Sequence, residues 1–375
     1  MADANALRTL IGNLVAARGA LSVAEFMQLA AQHPDHGYYR AMPAIGAPGD
    51  FITAPEISQI FGELLGLCCC QHWYETGGGA PVRLVELGPG RGTLMADMLR
   101  AWGQAAGHAV ANVHLIESNA VLRSAQADRL AGQPVTWHET LSGWLDAAAA
   151  EPMLTYVIAN EFFDALPIQQ FTATDGVWYE RGVTIQGEAL VWTQSKVPDV
   201  MAARLTARFG SDNLACVEVA PAREQVMADL AARLAADGGA ALIIDYGDAD
   251  PLAFGNSLQA LHKQTKSDPL AHPGTSDITS HVDFGALRDR ACAAGLRYQG
   301  PVTQAAFLDQ LGGRQRLQAL QANKPPAVAA DLGSAFERLV APGAMGTLFK
   351  VLGLTSANLP PLAGFAAPVF EVCDG

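Results

Sequence analysis

Several things are scarce in this 375-residue chain, and each scarcity closes off a class. No apolar run approaches the ~20 residues that a membrane span requires, so no transmembrane segment is expected. Basic residues are few, 24 Lys and Arg against 37 Asp and Glu, for a formal charge of -13. They form no stripe, which argues against a nucleic-acid partner and leaves a basic peptide as the better fit. Of the six cysteines, Cys68, Cys69 and Cys70 are consecutive and the rest are scattered. Neither a zinc pair nor a disulfide framework can be read from that spacing, and a reducing compartment is expected. His262, His272 and His281 have no recognised metal-ligand spacing. The polar, amphipathic start is neither a signal peptide nor an Arg-rich presequence, so the expected location is the cytoplasm.

What is present is a foldable, 50% hydrophobic chain. Leu7, Leu10, Ile11, Leu14 and Val15 recur at helical spacing, and Ser22 with Glu25 forms a capping box for a second helix. Gly46 to Asp50 reads as a turn-rich loop, and Thr53 with Glu56 suggests a further cap before Ile57, Ile60, Phe61, Leu64 and Leu65. From residue 82 short apolar runs alternate with helical segments: 82–87, 113–117, 135–138, 154–159 and 240–245 as strands, with a late one at 347–352. Such alternation predicts a Rossmann-like α/β fold, a mostly parallel sheet with helices on both faces. Two insertions interrupt it. Residues 168–218 read as an antiparallel meander with turns at Asp175-Gly176 and Gln186-Gly187, in which Trp178, Tyr179 and Trp192 are meander core or a docking surface. Residues 248–280 read as an ordered functional loop. The expected division is a helical arm and substrate-side loop over 1–78, then the main domain over 79–375.

The sharpest chemical signal is Glu86-Leu87-Gly88-Pro89-Gly90-Arg91-Gly92-Thr93, a strand end leading through glycines into a helix. Glycine lets backbone approach a ligand closely. Glu86 discriminates among ligands: a carboxylate there repels a dinucleotide pyrophosphate and attracts the ammonium and sulfonium of S-adenosyl-L-methionine. The donor's own carboxylate can meet the N-terminus of the following helix. Glu117, in Leu115-Ile116-Glu117-Ser118, stands where an acid accepts hydrogen bonds from ribose hydroxyls. The fourth strand ends in Asn160-Glu161-Phe162-Phe163-Asp164-Ala165-Leu166-Pro167, at the edge where substrates meet cofactor in open α/β sheets. A planar, permanently charged guanidinium is matched by carboxylates, so Glu161 and Asp164 are candidates to receive an arginine. The alternative is that Asn160 and Glu161 touch only the cofactor while Phe162 and Phe163 fill core. His281 could orient substrate or act as a base; it could equally cap or pack.

Together with Gly49-Asp50-Phe51-Ile52-Thr53-Ala54-Pro55-Glu56-Ile57-Ser58-Gln59 and Thr275-Ser276-Asp277-Ile278-Thr279-Ser280-His281-Val282-Asp283-Phe284, these motifs resemble the MidA-like methyltransferase family. The likeness runs from His33-Pro34-Asp35-His36-Gly37-Tyr38-Tyr39 to Gly346-Thr347-Leu348-Phe349-Lys350-Val351-Leu352. It implies a class I methyltransferase fold using S-adenosyl-L-methionine, with Gly88, Gly90 and Gly92 at the cofactor and the Pro55-Glu56 loop, Glu56 included, near the acceptor. The family's eukaryotic members are mitochondrial assembly factors that symmetrically dimethylate an arginine on a core subunit of respiratory complex I. The resemblance therefore implies a protein partner with a basic acceptor. Two rivals stay open, a small-molecule methyltransferase and a non-catalytic assembly module.

Overall fold

The computed structural model describes residues 4–41, 52–107, 110–210 and 213–366. Its centre is a sheet whose main strands are β1 (Val82–Leu87), β2 (Val110–Ile116), β3 (Val135–His138), β4 (Leu154–Asn160), β5 (Gly239–Asp248), β6 (Leu296–Thr303) and β7 (Phe349–Ser356). They lie in the order β3-β2-β1-β4-β5-β7-β6. All pairs from β3 to β5 are parallel, and β7 runs antiparallel to both its neighbours. The chain leaves β1 toward one edge and β4 toward the other, so a crevice opens beyond the carboxyl ends of these two strands, the usual ligand position in open α/β sheets.

Both faces of the sheet are covered, as the apolar runs require. Val82 and Leu84 of β1 join a core with Ile60, Phe61, Met98 and Phe336. Val85 and Leu87 point the other way, into a core with Trp144, Leu230 and Phe284. Helix Gln59–Glu75 is buried almost all round, including the three consecutive cysteines. It sits tightly on helix Thr93–Ala106: a Cβ on Gly62 or Gly66 would lie 2.6 Å from Asp97 or 2.7 Å from Met98. The cap predicted at Thr53 is placed differently. Thr53 makes no side-chain cap bond, the helix Ala54–Ile57 stops after one turn, and extended Ser58 caps the longer helix by accepting from Ile60 N. The predicted loop over 46–50 lies outside the described residues.

The capping box at Ser22 is formed as expected, opening helix Val23–Gln32. The 168–218 insertion is the meander Gln169–Thr174, Val177–Gln186 and Ala189–Lys196, extended by a helix and a returning strand, Leu214–Val219. Leu21 and Ser22 of the arm add to the same sheet opposite Val183 and Gly182. Trp178 is core of this unit, and Trp192 lies under Arg181, 3.8 Å from guanidinium to ring. The 248–280 insertion contributes a small sheet of Gln259–His262, Thr265–Ser267 and Asp277–Thr279. Leu7, Ile11, Phe26, Ile168, Val183 and Ile278 form one apolar cluster, so arm and both insertions share a core.

Candidate functional site

The loop after β1 is built by left-handed glycines: φ is 61° at Gly88, 52° at Gly90 and 76° at Gly92. A side chain is disfavoured at each of these angles. Gly88 N donates to Ile116 O and Gly92 N to Pro89 O, which folds the loop back on itself before Thr93. A Cβ on Gly90 would meet nothing within 4 Å, so its backbone faces open space. Helix Thr93–Ala106 has no side-chain N-cap bond. Met95 N–H in its first turn is taken by Glu86, and the N–H groups before it can meet an anion.

Glu86 is buried, and burial pushes it up to about 8, the Glu117 charge adding to the effect. Its Oε2 has no hydrogen-bond partner, and neither has Oδ1 of buried Asn160 at the end of β4. Unpaired buried acceptors are costly, and two at the crevice mark a place shaped for donors that a ligand brings. Glu117 is buried and raised by burial; its Oε1 accepts from Asn119 N at 2.8 Å. Ser118 offers its carbonyl to Arg40. These features fit a nucleoside carrying an amino acid: the glycine loop and helix end suit its carboxylate, Glu86 and Asn160 its ammonium, and Glu117 its ribose.

The acceptor candidates occupy the turn after β4. Glu161 holds a left-handed φ of 51°, an uncommon state for a glutamate and one that clusters at functional sites. Its Oε1 accepts from Ala54 N at 3.3 Å and from Asn160 Nδ2 at 3.1 Å. Desolvation pushes Glu161 up to about 8, with the Asp164 charge contributing. Phe163 is core, while Phe162 packs on Phe163 and lies 3.1 Å from where a Gly88 Cβ would sit. The aromatics thus fill and space the turn. Glu56 is exposed in the Ala54–Ile57 turn, where Thr93 Oγ1 donates to its Oε1. That one turn therefore touches the donor helix through Glu56 and the acceptor side through Ala54.

His281 is not joined to this group. Its ring packs edge-on against Tyr246 and Phe254, each 5.4 Å away. Burial lowers its pKa, and so do the Arg223 and Lys350 charges, with no carboxylate among the causes.

Sequence reasoning missed the residues that hold the site together. Arg223 is 2% exposed and donates to the carbonyls of Asp164, Leu166 and His281 and to Ser280 Oγ, tying the Asn160 and Thr275 motifs into one wall. Asp245 is fully buried and accepts both Phe163 N and Asp164 N at 3.1 Å, fixing the acceptor turn. Gln126, also fully buried, donates to Gly90 O at 2.7 Å and reaches Glu117 Oε2 at 3.5 Å. Tyr39 donates to Asp277 at 2.5 Å. Only Tyr39 and Asp277 fell inside stretches that the resemblance singled out; a glutamine or arginine within a helix carries no sequence signal of such a role.

Residues 64–302 match a family of S-adenosyl-L-methionine-dependent methyltransferases. The chain is 35% identical to the mitochondrial protein arginine methyltransferase NDUFAF7 of Danio rerio, over 95% of this chain and 91% of that protein. It is 34% identical to the human protein of the same name, over 90% of this chain and 80% of that one. A solved structure from Burkholderia thailandensis, bound to S-adenosyl-homocysteine, superposes with a TM-score of 0.83 at 26% identity, covering 97% of this chain and 95% of the other. These relatives overturn the cytoplasmic placement expected from the sequence, since the proteins from fish and human are both named as mitochondrial. Fold, donor and reaction class agree with the geometry: this chain belongs to the MidA-like family of S-adenosyl-L-methionine-dependent methyltransferases.

Proposed function

We propose that the protein methylates an arginine side chain of a protein substrate. The observation that supports this most is the acceptor turn: Glu161 in a left-handed conformation and Asp164 beside it, pinned by Asp245 and Arg223 at the mouth of the donor crevice. A guanidinium placed there would lower the pKa of Glu161 and be held by charge-assisted hydrogen bonds. The bound donor supplies a methyl group on a sulfonium. The protein's task is alignment: Glu86, Asn160, Glu117, Ser118, Pro89 and the glycine loop hold the donor, Thr93 and Glu56 brace that loop, and Glu161 and Asp164 orient the acceptor nitrogen. His281 serves here as a packing residue behind Tyr246. The names of the relatives support the arginine assignment. Symmetric dimethylation, and a respiratory complex I subunit as the acceptor, follow from the family resemblance and complete the proposal.

Calorimetric titration with S-adenosylmethionine, S-adenosylhomocysteine and NAD tests the donor half. Binding of the first two and none of NAD is expected. Methyl transfer from labelled donor, followed by mass spectrometry of the product, tests the acceptor half; label on any residue other than arginine would refute it.

A further inference from the structure

Helix Tyr38–Ala41 joins the two halves of the site. On one side it is bonded to the loop that follows β2: Asn119 Nδ2 donates to Tyr39 O at 2.8 Å, and Arg40 Nη1 donates to Ser118 O at 2.8 Å. Asn119 is itself set by Glu117, whose Oε1 accepts its backbone N–H. On the other side the Tyr39 hydroxyl donates to Asp277 Oδ1 at 2.5 Å, across 238 positions of sequence. Asp277 opens the strand Asp277–Thr279, and the next residue, Ser280, donates its N–H to Asp164 O at 3.1 Å. The strand is thus stitched to the acceptor turn.

We propose that Tyr39 is a positioning residue that couples the donor to the acceptor: the Glu117–Asn119 turn holds its backbone, and its hydroxyl sets Asp277 as a third carboxylate beside Glu161 and Asp164. The inference rests on the acceptor assignment proposed above. Two further facts support it. The Asp277 charge acts on both Tyr39 and Glu161, and Asp164 acts on both as well, so the four groups share one small volume. Asn160, nine-tenths buried at the donor site, donates its Nδ2 to Glu161 Oε1 at 3.1 Å, a direct link between donor site and acceptor turn. A cluster of carboxylates is suited to a cationic ligand that brings several N–H donors, as a guanidinium does. Coupling of this kind travels through a contiguous chain of bonds, here Glu117 to Asn119 to Tyr39 to Asp277. Its consequence is order: the acceptor pocket is complete only once the ribose end of the donor site is held.

The test uses hydrogen exchange with S-adenosylhomocysteine as the probe, so it needs no knowledge of the acceptor. In the unaltered protein the ligand should slow exchange at residues 38–40 and again at 277–279. In Tyr39→Phe the ligand should bind within about threefold of its original affinity, because the backbone bonds to Asn119 remain. Protection at 38–40 should persist and ligand-induced protection at 277–279 should vanish. Asp277→Asn, which keeps the fold's shape without the charge, should lose the same protection. A merely structural tyrosine would change exchange equally with and without ligand. Equal ligand-induced protection at 277–279 in both variants, or none in the unaltered protein while the ligand binds, overturns the coupling but leaves the donor assignment intact. Failure of the unaltered protein to bind the ligand at all overturns both.

Discussion

Gln126 hydrogen-bonds to Gly90 O through its Nε2, at 2.7 Å, while its Oε1 accepts from Trp137 Nε1 at 2.8 Å. One side chain from helix Ala120–Arg129 therefore fixes the glycine loop against the strand that follows. Replacing it by alanine leaves Gly90 O and the Trp137 N–H without these partners. A lost buried hydrogen bond costs about 1–3 kcal/mol. Gln126→Ala should weaken S-adenosylhomocysteine binding by roughly tenfold or more, read by calorimetry, with little change in turnover at saturating donor.

Glu161→Gln should separate donor from acceptor. Donor affinity should stay near its original value while kcat/KM for an arginine peptide falls about 10² or more, because a charged acceptor of the guanidinium is removed. Loss of donor binding instead would assign Glu161 to the cofactor.

The pH profile carries the same residue's signature. With Glu161 pushed up to about 8 in the free protein, much of it is protonated at neutral pH and cannot receive a cation. Because kcat/KM reports the free enzyme, it should rise as pH climbs toward about 8 and then level off. In Glu161→Gln that limb should flatten.

Stability of the ligand-free protein should respond in the opposite sense. Glu86 moves from its ordinary value of 4.5 to about 8 on folding, so the folded state holds that proton more tightly than the unfolded chain does. The stabilisation is fully present below about 4.5 and is lost as pH rises through about 8. Melting temperatures measured by scanning fluorimetry should fall between pH 5 and 8.5, and Glu86→Gln should fall less. An equal decline in both proteins would remove Glu86 from the account.

Gly88→Ala should harm both fold and donor binding. It places a Cβ 3.1 Å from Phe162 at a φ of 61°. Left-handed backbone costs a side-chain-bearing residue roughly 1–2 kcal/mol, so denaturant unfolding should show a loss of that order.

Legibility of the chain followed the reach of the interactions. Strands β1, β4 and β5 were readable because each is a short apolar run buried on both faces, and the Ser22-Glu25 cap because both partners lie within three residues. The donor motif was readable because strand, glycines and acid are contiguous. Thr53 misled because cap residues recur: Ser58, extended at a φ of -153°, took the longer helix instead. The clamp residues were hidden for the converse reason. Arg223 acts on carbonyls 57 to 59 positions away on either side, and backbone acceptors have no sequence identity to recognise. Tyr39 and Asp277 meet only through the fold.

The strand pair of Leu21 with Val183 has a further implication for how this protein can be divided. Severing the first three dozen residues would strip an edge from the meander sheet and expose Ile168, Val183 and Ile278, the apolar residues under both insertions. This shared apolar unit is assembled from three stretches that synthesis delivers far apart in time. Until the last of them emerges, the helical arm made first has no complete surface on which to settle.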